Sequence, residues 1–227
     1  MKRKAQRRVL AIDVGGSHVK ARVSGSRAMR QFESGPTMTP RRMVSSVLKL
    51  VGDWKYDVVS IGYPGVVVHD KIVTEPFNLG KGWVGFDFRK AFGRPTQVMN
   101  DAAMQAIGSY EGGRMLFLGL GTGLGSALIV EGTVAPMELA HLPYKRGRSY
   151  EDYVGEQGRR RLGPKRWRKA VAEVVAQLSK ALEVDYVVLG GGNAHKLKKL
   201  PDNARLGNND FAFLGGFRVW RPAPPRI

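Results

Sequence analysis

Three polar centres in this chain have the residue types and spacing to act on a phosphoryl group. Asp13, Val14, Gly15, Gly16 and Ser17 follow one apolar run, and Gly121, Thr122 and Gly123 follow another. Closely spaced glycines at a strand end let backbone N–H groups converge on an anion, because no Cβ keeps the anion away. Asp13 adds a carboxylate to the first turn, the kind of oxygen ligand that a Mg2+ shared with phosphates takes directly or through water. The third centre is Asn100 followed by Asp101, where a strand meets a helix just ahead of the second turn. A carboxylate in that place can accept the proton of a hydroxyl as it attacks phosphorus, help worth about 10²–10⁴-fold in rate. The rest of phosphoryl transfer is positioning and charge neutralisation. Each centre also has a plain structural alternative: an Asp satisfying its own turn, or an Asn or Asp capping a helix. Their occurrence together favours the chemical reading.

The elements that must hold these centres are stated twice. Residues 9–25 and 116–132 overlay without a gap, each as apolar strand, glycine turn and returning strand, closing on Gly25 and Gly132. The overlay places Gly16 and Gly123 at the same point of the turn, where glycine supplies positive φ and close backbone approach. Two such hairpins, mixed with helices, predict an α/β fold of two similar lobes facing each other across a phosphate. The pattern also predicts a strand over 28–33, a helix over 40–53 with Thr39 as N-cap, a strand over 57–61 and a small hairpin around His69 and Asp70. Residues 75–85 show no periodicity and read as a loop carrying Asn78 and Trp83. A short helix over 87–92, a strand over 96–99 and a helix through residue 110 lead to the second hairpin. An irregular stretch with Glu138 and His141 follows, then helical residues 150–157. The clearest helix covers 164–182, with Trp167, Val171, Val174, Val175, Leu178 and Leu182 on one face. A strand over 186–189 runs into Gly190, Gly191 and Gly192, and a last helix is expected near 209–220.

Composition narrows the class. Hydrophobic residues make up 43% of 227 residues, enough for one large or two small cores. No apolar run approaches a membrane span, and Asp13 interrupts the apolar segment after the basic N-terminus, which argues against a signal peptide. The absence of cysteine excludes disulfides and Cys-ligated metals and fits a cytoplasmic protein. A formal charge of +18, clustered over residues 2–8, 145–148, 159–169 and 196–199, favours a polyanionic partner: nucleic acid, anionic membrane or long phosphate chains.

The motifs DVGGSHVK, GYPGVV, the loop from Asn78 to Trp83, MNDA, GLGTGLGSA, ELAHL and VVLGGGNA occur in the order found in ROK-family sugar kinases. From about Val9 to Trp220 the chain resembles that family, and within it the bacterial polyphosphate glucokinases. The resemblance implies a two-lobed actin/hexokinase-like (ribonuclease H-like) α/β fold with a phosphate-binding cleft between lobes. One lobe would span 1–100, rejoined by a C-terminal helix over 209–227, and the other 101–208. It implies Asp101 as the base toward the sugar 6-hydroxyl, and Asn78, Asn100, Glu138 and His141 as further sugar ligands. Gly15, Gly16, Ser17 and Lys20 match the first phosphate loop, Gly121, Thr122 and Gly123 the second, and Gly190, Gly191 and Gly192 the segment beside a nucleotide. Mg2+ would be the cofactor, glucose the acceptor, polyphosphate or ATP the donor, and a homodimer the assembly.

Two departures from the family stand out. Without cysteine the structural zinc of many members is not expected, and Ala140 replaces the usual glycine of ELAHL. The residues ahead of Val9 are too few for the helix-turn-helix of ROK repressors, so no DNA-binding domain is expected. Three functional classes remain. A polyphosphate glucokinase would use the basic surface as a donor track, with Lys145, Arg146, Arg148, Arg159, Arg160, Arg161, Lys165 and Arg166 as candidates. A strictly ATP-dependent hexose kinase would rely on the glycine run after Leu189. A non-catalytic sugar- or polyanion-binding protein, possible for so basic a chain, would leave Asp13 and Asp101 without a purpose.

Overall fold

A computed structural model describes residues 7–208 and 210–221. Residues 1–6, Asn209 and the tail over 222–227 lie outside the described residues, and with them part of the N-terminal basic cluster and the ends of the expected closing helix. The chain forms two compact units. One comprises the residues up to Met104 and resumes at Ala212; the other is Gln105–Phe211.

In the first unit, strands β1 (Val9–Val14), β2 (His18–Val23) and β3 (Met29–Glu33) form an antiparallel meander. Helix α1 (Pro40–Leu50) follows, with the Thr39 hydroxyl accepting the N–H of Arg42 and Pro40 in the first turn. It stops short of the expected Asp53, because residues 51–53 turn the chain toward Trp54. Next come β4 (Val58–Tyr63), the small hairpin β5 (Val67–Val68) and β6 (Lys71–Ile72), α2 (Phe88–Phe92), β7 (Thr96–Asn100) and α3 (Asp101–Ser109). The sheet runs β3-β2-β1-β4-β7, with β1, β4 and β7 parallel. β1 and β4 are apolar along nearly their whole length, as strands covered on both faces are. One face packs Leu10, Ile12 and Ile61 against Met43 and Val47 of α1, with Trp83, Phe88 and Phe92 in the same core.

The second unit repeats the plan. Strands β8 (Arg114–Leu120), β9 (Leu124–Val130) and β10 (Thr133–Met137) form the meander, followed by α4 (Tyr150–Val154), α5 (Glu156–Leu182), β11 (Tyr186–Gly190) and β12 (Ala204–Leu206). The order is β10-β9-β8-β11-β12, again with three parallel strands after the hairpins. Helix α5 is two helical segments meeting at Gly163, whose φ of 73° breaks the ladder before Pro164 starts the longer one. Trp167, Val171, Val174, Val175 and Leu178 pack on Leu116, Leu118, Val187 and Leu189. Among the described residues, no helix is long and apolar enough to cross a membrane.

The structure corrects several expectations. The stretch after the second hairpin, expected to be irregular, begins with strand β10, whose Pro136 is tolerated because β10 lies on the sheet edge with β9 as its partner. β12 is too short to show alternation. The gapless overlay of the two hairpins also fails at their tips. Val14 pairs Val19 across residues 15–18, whereas Leu120 pairs Leu124 across residues 121–123, so Gly16 and Gly123 are not equivalent. Positive φ belongs instead to the closing glycines, Gly25 at 83° and Gly132 at 79°.

The last helix, α6 (Phe211–Arg218), serves the first unit from Ala212 onward. It covers the second face of the sheet at very short range. A Cβ on Gly216 would stand 2.8 Å from that of Ala11 and 3.2 Å from that of Ser60. The buried Ser60 hydroxyl donates to the Gly216 carbonyl at 2.6 Å and accepts from the Trp220 indole at 2.8 Å. Gly216→Ala is therefore expected to destabilise the protein by about 1–3 kcal/mol in denaturant titrations, an overpacking cost. Gly52→Ala, on an open surface turn, should stay within about 0.5 kcal/mol of the parent. Equal stability of the two variants would refute this packing account.

Candidate active site

In the first unit the turn after β1 is built to leave two amides facing outward. The N–H of Gly15 donates to the His18 carbonyl at 2.9 Å, while the Ser34 hydroxyl donates to the Gly15 carbonyl at 2.6 Å. The N–H groups of Gly16 and Ser17 make no hydrogen bond among the described residues. Asn78 lies directly over this turn, its Cβ only 3.1 Å from where one on Gly16 would be. Glycine at position 16 is favoured by this close approach, not by its φ.

The loop that carries Asn78 lacks secondary structure but is held from several sides. The Glu75 carboxylate accepts the N–H groups of Gly82, Trp83 and Val84 at 3.1–3.3 Å. Gly80 N–H and the Trp83 indole both donate to the Met38 carbonyl. The Trp83 ring is fully buried against Tyr63 and Phe88. This explains the loop's distinctive tryptophan: it is an anchor for Asn78.

Asp13 sits on β1 directly opposite Lys20 of β2, on one face of the pair. Burial pushes the Asp13 carboxyl above its ordinary range, and the Lys20 charge offsets only part of that. Among the described residues no cluster of three His, Cys, Asp or Glu side chains could hold a metal. A lone carboxylate beside open amides does fit Mg2+, which binds through one or two carboxylates and otherwise keeps waters and substrate phosphates.

Asn100 is the helix cap that the plain alternative foresaw: its Oδ1 accepts the Ala103 N–H at 3.1 Å. Its Nδ2 also donates to the Gly65 carbonyl at 3.1 Å, tying the Gly62, Tyr63, Pro64, Gly65 turn to the start of α3. Asp101 opens α3, with Oδ1 accepting the Ala102 N–H at 2.7 Å. Gly62 lets that helix start approach β4, since a Cβ there would meet the Met104 side chain at 2.5 Å.

In the second unit the structure brings together two glycine runs far apart in sequence. Gly191, with φ 79°, lies against Leu120, where a Cβ would come within 2.5 Å of the Leu120 carbonyl oxygen. The next residue but one, Asn193, donates its N–H to Leu120 and its Nδ2 to the Gly121 carbonyl. The N–H of Glu156, at the start of α5, donates to the carbonyls of Gly121 and Thr122. Carbonyls are thereby drawn inward, and the amides of Thr122 and Gly123 have no partner among the described residues. Glu151 of α4, which sequence reasoning missed, reaches this turn: its carboxylate accepts the Leu124 N–H at 3.0 Å and lies against Gly123. Only a sequence-distant contact places it there.

Glu138 precedes a short 3-10 turn after β10 and His141 is its last residue, both exposed. The Ser126 hydroxyl fixes this segment, donating to the Met137 carbonyl and accepting from Leu139 N–H. The methyl of Ala140 is buried in the second core, so the departure from glycine is absorbed by packing. The basic candidates divide. Arg159 and Arg160 bind the Glu156 carboxylate at 2.7–2.8 Å, which holds that carboxyl far below its usual range. Arg161 donates to the Asp152 carbonyl and lies over Tyr153. Lys145 pairs with Glu173 at 2.6 Å, and Arg166 donates to the Leu162 carbonyl. The Arg148 charge acts on the Asp152 carboxylate, and for Arg146 and Lys165 no side-chain partner occurs among the described residues.

Comparison with known proteins matches residues 9–136 to the ROK family. A polyphosphate glucokinase of Mycobacterium tuberculosis is 28% identical over 219 residues, covering 86% of this chain and 81% of that protein. Among solved structures, the inorganic polyphosphate/ATP-glucomannokinase of Arthrobacter sp. strain KM superposes with a TM-score of 0.80 at 21% identity, over 93% of this chain and 97% of the other. A ROK family glucokinase from Streptomyces griseus, solved with glucose and AMPPNP, gives 0.71 at 15% identity, over 93% and 98%. These two show the shared actin/hexokinase-like fold.

The partial burial of Asp13 has a measurable consequence. A carboxyl raised in the folded state binds protons more tightly there than in the unfolded chain, so its contribution to stability declines as pH rises from the ordinary value of 3.8 through the raised one. Asp13→Asn should therefore raise the denaturation midpoint at neutral pH, with the gain shrinking as pH falls through that window. A gain independent of pH, or a loss at neutral pH, would contradict the burial of this charge.

Proposed function

This chain belongs to the ROK family, and from that premise we propose that it is a glucokinase that moves a phosphoryl group from inorganic polyphosphate, with ATP as a second donor, to O6 of glucose. One observation carries the chemistry: glycine turns with open amides end the equivalent central strands β1 and β8, and a carboxylate, Asp101, heads the helix after β7. The likeness to a polyphosphate glucokinase over 86% of the chain supports the choice of donor. The glycine run packed against Leu120 supports ATP as the second.

In this reading Asp101 accepts the O6 proton as O6 attacks the terminal phosphorus. The O6–P bond forms, the bond from phosphorus to the donor's bridging oxygen breaks, and the shortened donor leaves with its negative charge. The amides of Gly16, Ser17, Thr122 and Gly123, with Lys20, neutralise phosphoryl oxygens without reorganising, which is where preorganised donors are worth most. Mg2+, when bound, supplies further charge neutralisation at those oxygens, and Asp13 would hold it directly or through water. Asn78, fixed by the Trp83 anchor, and Glu138 and His141 would bind sugar hydroxyls. Their value lies in rejecting sugars that leave a polar group unpaired. Asn100 contributes by positioning, because both ends of its amide hold backbone. A cytoplasmic homodimer completes the proposal.

Asp101→Asn should lower glucose 6-phosphate formation by about 10²–10⁴-fold while calorimetric glucose affinity changes only a few-fold. Turnover near that of the parent would remove Asp101 from the mechanism. Donor choice is read by comparing polyphosphate with ATP at matched phosphate and saturating Mg2+. Activity with ATP alone would leave a hexose kinase and detach the basic surface from the donor.

A further inference from the structure

The second unit has a cationic groove that none of the roles above uses. It runs between the C-terminal half of α5 and the segment leading into β12, with a volume of about 780 Å³. Its floor is the α5 stripe of Ala172 and Ala176, spaced by four residues and therefore on one helix face. These small side chains leave a channel where longer ones would fill it. Arg168 and Lys169 stand at its upper end and Lys180 at its lower, about 18 Å along the helix axis. Lys198 and Lys199 line the opposite wall, pushed outward because Leu197 and Leu200 on either side pack into the core. Asp202 is the only acid in the lining, and none of the four lysines has a salt bridge among the described residues.

The groove is connected to the second glycine turn by a chain of contacts. Asn193 donates to the Gly121 carbonyl at 3.1 Å, Lys196 donates to Asn193 Oδ1 at 2.6 Å, and Arg168 donates to the Lys196 carbonyl at 3.4 Å. Basic side chains thus lead from the turn down into the channel. Arg159 and Arg160, by contrast, are held by Glu156.

We propose that this groove holds the distal phosphates of a long polyphosphate donor whose reacting end lies at the second glycine turn; the proposal rests on the polyphosphate reading above. A ligand of repeated charge and no bases fits the lining. No aromatic residue lines the groove, so it offers no stacking platform of the kind that single-stranded nucleic acid uses. Small floor residues and lysine ammonium groups on long stems suit a flexible chain of phosphates, for which charge neutralisation is the binding term.

The test is the triple variant Lys169→Gln/Lys198→Gln/Lys199→Gln, with Lys49→Gln/Lys55→Gln/Lys90→Gln in the first unit as the charge-matched control. Binding is followed by anisotropy of end-labelled polyphosphate of about a hundred units and of tripolyphosphate, and turnover is measured separately with both and with ATP. The groove variant should bind the long chain at least tenfold more weakly and show a salt slope lower by about 2, from three lost contacts at about 0.7 each. Its constants for tripolyphosphate and ATP should stay within twofold, and its melting temperature should match the parent's. Unchanged long-chain affinity, an equal loss for tripolyphosphate, or an equal loss in the control variant would overturn the groove. So would loss of single-stranded RNA binding with polyphosphate binding intact. If the parent binds long chains through the groove yet transfers no phosphate from them, the groove stands and the donor reading falls. If the parent turns polyphosphate over and the variant matches it, the donor reading stands and the groove falls.

Discussion

The second unit depends on one close approach, that of the Gly191 backbone to Leu120 at the end of β8. Both conditions at position 191, a φ of 79° and no room for a Cβ, exclude other residues there. Once the two backbones meet, Asn193 reaches Gly121, the turn carbonyls are drawn inward, and the amides of Thr122 and Gly123 are left for an anion. Lys196 and Arg168 follow from Asn193 in turn, so the turn and the cationic groove share one origin. A single backbone contact therefore sets both where charge is neutralised and where more charge can be carried.

The first unit reaches the same result with different materials. Its β1 turn is fixed by Ser34 and by Asn78, whose loop is stiffened by a buried tryptophan and a carboxylate accepting three backbone N–H groups. Missing Cβ atoms again set the distances, at Gly62 beneath the start of α3 and at Gly216 where α6 meets the sheet. Rigid donors matter for phosphoryl transfer because little covalent chemistry falls to the protein. What it supplies is charge already in place.

The strong positive charge is not evenly available. Glu156 engages two arginines and Glu173 a lysine, while the lysines around the α5 groove form no salt bridge among the described residues. Solvent-screened pairs of this kind contribute little to the stability of a fold. Their larger effect is on the pattern of the surface: two acids, through three pairs, decide which of these basic residues are already engaged.

The sequence by itself determined the repeated hairpins, the burial of α1 and α5, the Thr39 cap and the positions of Asp13, Asp101 and the glycine turns. Those are local properties, set by periodicity and by what one residue allows its backbone to do. It misjudged the hairpin tips, because a gapless overlay cannot see that one turn spans residues 15–18 and the other 121–123. It missed β10, where a proline on an edge strand breaks the rule for central strands. Tertiary structure alone decided that Asn100 spends its amide on Gly65, that Glu151 reaches Gly123, and that Asn193 joins two glycine runs separated by about seventy residues. It also decided which arginines are already paired. The reason is physical: a contact between distant segments depends on how two sheets and their helices pack, and spacing along the chain carries no record of that distance.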